Sequence, residues 1–251
     1  MELCSYLNKE KVDIICLQET NLNNLKRVAI PGYKCCRKDR DSGRKGGGVI
    51  IFINECLVHS PLPLLQHDHE VDVVGVSITL NSGDTLRIKS MYNPKGDADV
   101  FNILSTEAEG QNLFIFGDLN AHSPHWEDVE QSNQDGKNVE RLLLENNHIV
   151  VLTPYNLPTY YNSKNNKHST IDIQLGPASA IDQVSISRVP DLHSDHCAVK
   201  TIILHMSCGI KPCKRKLFNK KGKWPVFKQM LQEADYTLLE DSFLIDDKVK
   251  P

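Results

Sequence analysis

The sequence predicts one large α/β or two-sheet domain followed by a tail, and three observations carry that expectation. The first is length: 251 residues suit a single large domain with a sizeable core. The second is pattern, since many short apolar runs alternate with few stretches of helical spacing. The third is charge. Residues 206–251 hold 10 of the 29 Lys+Arg and 6 of the 32 Asp+Glu, a balance of +4, whereas residues 1–205 hold 19 and 26, a balance of −7. The boundary is therefore placed at 205/206. An apolar content of 40% with 24% charged residues is ordinary for a globular chain. No run approaches the ~18 apolar residues of a membrane span, and the start, Met1 to Tyr6, lacks the basic region of a signal peptide. The eight scattered cysteines then read as reduced thiols of an intracellular protein, with Cys4, Cys16, Cys56 and Cys197 in apolar contexts and so in the core.

Taken in order, Leu3, Tyr6 and Leu7 give residues 2–10 a helical stripe, and residues 12–17 form a strand closed by Gln18-Glu19-Thr20. A loop carrying Arg37, Lys38, Arg40, Arg44 and Lys45 follows, then Gly46-Gly47-Gly48 and the strand 49–53. The glycines lack the following Gly-Lys-Ser/Thr of a P-loop and suit a hairpin or bulge. The basic cluster suits either phosphate or plain solvation. Residues 71–80 and 86–92 are two strands joined by the turn Asn81-Ser82-Gly83-Asp84, the second ending in Tyr92-Asn93-Pro94. Residues 99–109 suit a helix. Four apolar residues, 113–116, then make a strand buried on both faces, ended by Gly117. Asp118 and Asn120, two apart on an extended segment, point the same way. A plain Gly-Asp turn is the alternative. His122 to Trp126 is a loop, and Asp135-Gly136 precedes a helix that turns Val139, Leu142 and Leu143 inward. Strands follow at 149–152, 158–161, 169–173, 184–189 and 199–204, with Asp172 alternating against Ile171 and Ile173.

The polar ends of these strands carry Glu19, Tyr92, Asp118, Asn120, Asp172, Asp195 and His196. Carboxylates, an amide, a phenol and a histidine in that combination suit metal-assisted phosphodiester hydrolysis. Mg²⁺ prefers oxygen ligands, a metal polarises a phosphoryl oxygen, and a carboxylate takes a proton from water. Zinc is the alternative for an Asp/His cluster, but no closed-site Cys/His spacing is present, and Cys208 with Cys213 is a weak pair in a basic tail.

Leu17-Gln18-Glu19-Thr20, Gly117-Asp118-Leu119-Asn120-Ala121-His122, Thr170-Ile171-Asp172 and Ser194-Asp195-His196 resemble, in order and spacing, the exonuclease–endonuclease–phosphatase superfamily. Gly46-Gly47-Gly48-Val49, Tyr92-Asn93-Pro94, Trp126, and Pro158-Thr159 ahead of Asp172 make the chain similar to the endonuclease domain of jockey-type non-LTR retrotransposon polyproteins. The resemblance covers about residues 2–205. It implies a four-layer α/β/β/α sandwich built on two sheets, with the site at one end. It implies that Glu19 binds Mg²⁺, with Mn²⁺ as the alternative, and that Asp195 supports the metal. Asp118 would activate water, Asn120 would hold the phosphate, Tyr92 would contact the phosphate or leaving group, and Asp172 would pair with His196. Thr159 would lie on a DNA-facing hairpin, and Arg44 and Lys45 would meet DNA. The activity implied is DNA nicking that leaves a 3′-hydroxyl for reverse transcription, with DNA as substrate, action in the nucleus and no membrane.

The tail fits the same resemblance. Residues 206–232 hold no acid, and Trp224, Phe227, Leu231, Ala234 and Leu238 follow a helical stripe. The segment resembles the connector to a reverse transcriptase domain, whose polymerase and element RNA would be partners in a full polyprotein. A disordered basic linker with an ordinary amphipathic helix is the other reading. One departure stands out: the family's first strand, which ends in an Asn, has no counterpart here, so the expectation is an N-terminally truncated copy with two unpaired sheet edges. An inactive nucleic-acid-binding remnant and a phosphatase of the same fold are the alternatives to a working endonuclease.

Overall fold

The computed structural model describes residues 3–23, 25–39, 46–63, 71–94, 112–189, 194–204 and 206–211. The elements are α1 (Leu3–Glu10), β1 (Ile14–Leu17), β2 (Tyr33–Lys38), β3 (Val49–Asn54), β4 (His59–Pro61), β5 (Asp72–Thr79), β6 (Thr85–Tyr92) and β7 (Leu113–Asp118). After these come α2 (Gln134–Glu145), β8 (Ile149–Val151), β9 (Tyr160–Asn162), β10 (Lys167–Ser169), β11 (Asp172–Pro177), a 3₁₀ turn (Ala178–Gln183), β12 (Val184–Arg188) and β13 (Val199–Ile203). The helix expected at 99–109, the tail helix, and Arg44 and Lys45 lie outside the described residues.

A six-stranded sheet runs β4-β5-β6-β7-β11-β8, in which only β6 and β7 are parallel. A three-stranded sheet, β1-β3-β2, and the pair β12-β13 make a second layer. Three apolar clusters define the stacking. Ile50 and Phe52 of β3 pack with Tyr6 and Leu7 of α1, while Val49, Ile51 and Ile53 on the opposite face of β3 pack against Val74, Val76, Ile88 and Phe114 of the large sheet. The far face of that sheet, with Val73, Ile115, Ile173 and Leu175, packs on Val139 and Leu142 of α2 and on Trp126. The order is helix, sheet, sheet, helix, as expected. Strands buried on both faces read as unbroken apolar runs, which is why β3 and β7 were legible.

Several local expectations change. The basic stretch taken for a loop contains β2, paired along its length with β3; edge position lets its outer side chains stay charged. Gly117 does not end its strand. β7 continues to Asp118, and Gly117 is required because a Cβ there would lie 2.2 Å from the Met91 carbonyl of β6. Cys4 is exposed and Cys56 and Cys197 are half-buried rather than core, whereas Cys16 packs against the apolar core as expected. Cys56 is disulfide-bonded, so the expectation of eight reduced thiols fails there. The first compact unit extends to Pro212, because residues 206–211 pair backward: Gly209 N–H donates to Thr79 O at 2.8 Å and Lys211 N–H to Cys56 O at 2.8 Å. Among the described residues β1 pairs only with β3, and β13 only with β12, while Ile14 and Cys16 of β1 and Ile203 of β13 pack on one common apolar cluster.

Gly117→Ala is expected to push β6 and β7 apart and to destabilise the domain by about 3 kcal/mol. Urea unfolding measures this, and an unchanged midpoint would refute the close approach.

Candidate active site

Sheet register brings the first three polar groups together. Tyr92, the last residue of β6, stands beside Asp118, the last residue of β7, and Asp118 stands opposite Asp172, the first residue of β11. Adjacent strands lie about 4.8 Å apart, so a phenol and two carboxylates form one row across the sheet's end. Tyr92 is 7% exposed and Asp118 is 4% exposed.

The second sheet layer adds a group at each end of this row. At one end, Glu19 follows β1 in a left-handed turn (φ +49°) and accepts a hydrogen bond from the Tyr92 hydroxyl. The glycine run holds that turn: Thr20 N–H donates to Gly48 O at 3.2 Å and Asn21 N–H to Gly47 O at 2.9 Å. Gly46, Gly47 and Gly48 all have φ near +90°, a conformation that side chains with a Cβ rarely adopt. Gly48 N–H in turn donates to the buried Asp72 at 2.8 Å. At the other end, His196 Nδ1 lies 2.9 Å from Asp172 Oδ2. Its ring packs on Tyr160 with centroids 4.9 Å apart.

Asn120 reaches the row by a different route from the one expected. Its φ is +48°, so residues 118–120 form a turn rather than an extended segment. The turn brings Asn120 N–H to Asp118 Oδ1 at 3.1 Å, and the Asn120 side chain donates to Asn93 O at 2.8 Å. Asn93 is fully buried and closes the loop by donating to Leu119 O at 2.9 Å. Asp195 is exposed beside His196, and its carbonyl accepts from Tyr161 N–H at 2.9 Å.

Thr159, expected to face DNA, is fully buried at the root of the β9–β10 hairpin. Its hydroxyl accepts from Ile171 N–H at 3.1 Å and Asp172 N–H at 3.0 Å, and its carbonyl accepts from Cys197 N–H at 2.6 Å. It therefore ties the backbones that carry Asp172 and His196. Sequence reasoning missed Asn93 as a brace for Asn120. It also missed Glu127, a carboxylate only 3% exposed that holds His122 Nδ1 and accepts Thr170 N–H at 2.8 Å.

Burial pushes the Asp118 carboxyl up to about 7, and the neighbouring Asp172 charge adds to the rise. Burial opposes a charge on His196, yet the hydrogen bond and charge of Asp172, with Asp118 and Asp195, raise it to about 9. The row is thus rich in negative charge, with one imidazolium at its edge. Among the described residues no three His, Cys, Asp or Glu side chains converge on one point. Mg²⁺ does not need such a cage, because it keeps several waters and takes one or two carboxylates. The oxygen-bearing acids around a carboxyl raised mainly by burial, and further by the neighbouring Asp172 charge, fit a hard divalent cation.

The chain belongs to the Endonuclease/Exonuclease/phosphatase family, whose sequence model matches residues 2–196. It is 24% identical over 246 residues to the RNA-directed DNA polymerase from mobile element jockey of Drosophila melanogaster, covering 95% of this chain and 26% of that protein. The counterpart in Drosophila funebris is 20% identical over 204 residues, with 78% and 21% covered. The chain thus spans about a quarter of the length of these relatives. Among solved structures, the endonuclease domain of TRAS1, a telomere-specific non-LTR retrotransposon, superposes with a TM-score of 0.63 at 18% identity, covering 80% of this chain and 90% of that one. The Xenopus laevis APE2 catalytic domain gives 0.61 at 17%, covering 86% and 90%. These likenesses establish the sandwich fold.

Both raised groups bind protons more tightly folded than unfolded, so each contributes most to stability at low pH. The Asp118 contribution is lost as pH rises from about 4 through about 7, and that of His196 as pH rises from about 6.5 through about 9. Urea midpoints in metal-free buffer are expected to fall across both windows, and His196→Ala is expected to flatten the upper one. A flat profile above pH 7 in the parent would contradict the assignment.

Proposed function

We propose that this chain is a Mg²⁺-dependent DNA endonuclease of the jockey-type retrotransposon class. The observation that carries the reading is the row Tyr92–Asp118–Asp172, set by strand register, with Glu19 hydrogen-bonded at one end and His196 at the other. A phosphodiester lying along the row meets each group in a distinct role. Asp118, whose carboxyl titrates near neutrality, takes the proton of the attacking water. The His196 imidazolium, its Nδ1–H held by Asp172, presents Nε2–H to a phosphoryl oxygen. Asn120 has one amide N–H on Asn93 O and offers the other to the developing charge. Tyr92 sits where its hydroxyl serves the phosphate or the leaving oxygen. Glu19, with Asp195 in support, would hold Mg²⁺ or Mn²⁺, which when bound polarises the phosphoryl oxygen as a Lewis acid.

DNA as substrate is supported by the similarity to a mobile-element polymerase and by the likeness to a retrotransposon endonuclease domain. Element RNA and a reverse transcriptase domain are the partners this reading supplies, with the nucleus as the place of action. No helix among the described residues is long and apolar enough to cross a membrane.

Supercoiled-plasmid nicking with Mg²⁺ tests the proposal. The parent is expected to nick and to stop in EDTA. Asp118→Ala and His196→Ala are each expected to lose about 10²–10⁴-fold in rate. A folded parent that binds plasmid without nicking it, or that releases phosphate from inositol phosphates instead, would overturn the reading.

A further inference from the structure

The catalytic turn is held from behind by a residue that the proposed mechanism does not use. Asn133 is the N-cap of α2, with extended backbone (φ −74°, ψ 179°) and its side-chain oxygen accepting Gly136 N–H at 2.7 Å. A helix cap requires nothing more. Here the same amide also grips the 120–122 turn. Its Nδ2–H donates to Asn120 O at 2.8 Å, and its Oδ1 accepts His122 N–H at 3.0 Å. Its backbone N–H donates to His122 O at 3.1 Å. The helix end sits close enough for this only because residue 136 is glycine: a Cβ there would lie 1.9 Å from His122 O.

The residue gripped is the one that needs holding. Asn120 has a left-handed backbone, a conformation that Asn tolerates better than most residues but that still costs energy relative to φ below zero. In that conformation its backbone N–H meets Asp118 Oδ1 and its side-chain amide meets Asn93 O. Relaxing the backbone to φ below zero would swing the side chain off the row.

We infer that Asn133 is a positioning residue for Asn120, coupling the start of α2 to the geometry of the catalytic turn. The inference rests on the endonuclease reading, and its test separates the two. Asn133→Asp keeps an oxygen for Gly136 N–H and His122 N–H, and Asp caps helices about as well as Asn. It replaces the donor facing Asn120 O with a second acceptor. Asn133→Ser keeps a cap, lacks the amide and introduces no charge.

Both variants are expected to retain the amide-exchange protection of α2 while the amides of residues 120–122 exchange faster. In plasmid nicking, kcat is expected to fall about 10–100-fold with KM unchanged, the scale of a misplaced catalytic group. A residue that only caps the helix would leave kcat at the parental value in both variants, and that result overturns the inference. If the parent does not nick, the endonuclease reading fails. The positioning claim is then decided by exchange alone: faster exchange at 120–122 with α2 protected supports it, and unchanged exchange at those amides overturns it.

Discussion

The site depends on the contact between Gly117 and Met91. Two parallel strands, β6 and β7, approach so closely there that no side chain fits between them. That approach fixes the register in which Tyr92 and Asp118 end side by side, and the antiparallel pairing of β7 with β11 sets Asp172 in the same row. Hydrogen-bonded sheet positions are rigid, so three chemical groups are held by backbone pairing rather than by loop conformation. The groups that come from loops, Glu19, Asn120 and His196, each have a separate brace: the glycine run, Asn93 with Asn133, and the Asp172–Thr159 pair.

Electrostatics gives this arrangement its character. Burial, and after it the crowding of carboxylates at the sheet end, disfavours negative charge on Asp118, while the carboxylates around His196 favour its positive charge. Asp118 holds its proton up to about 7, and His196 holds its own up to about 9. Both shifts mark a place that favours added positive charge, and perturbed acids and bases gathered in this manner are characteristic of catalytic sites. The family to which the chain belongs gives that pattern a context.

The fold was legible where both faces of a strand are buried. β3 and β7 announce themselves as apolar runs, and the acids at strand mouths point to the site. Other features were hidden for identifiable reasons. β2 has charged outer residues because it is an edge strand. Gly117 looked like a strand end because its requirement comes from β6, far away in sequence. Asp118 and Asn120 meet through a left-handed turn, which a two-residue spacing does not reveal. Thr159 was expected on a DNA-facing hairpin by resemblance, yet tertiary pairing with β11 and Cys197 buries it. Asn133 carried a signal, an Asn three residues ahead of a Gly at the start of a helix, but the spacing shows only a cap. Its grip on residues 120–122 is a tertiary fact.

The central claim is that strand register sets Asp172 in the carboxylate row, where it pairs with His196 and so holds an imidazolium at the row's edge. NMR titration of His196 in metal-free buffer tests this most directly, in the parent and in Asp172→Asn. The account predicts a parental value well above 6.5, near 9, that falls in the variant, because the largest contribution favouring the charge is removed while burial still disfavours it. A parental His196 that titrates in the ordinary range, or one indifferent to Asp172→Asn, would contradict it.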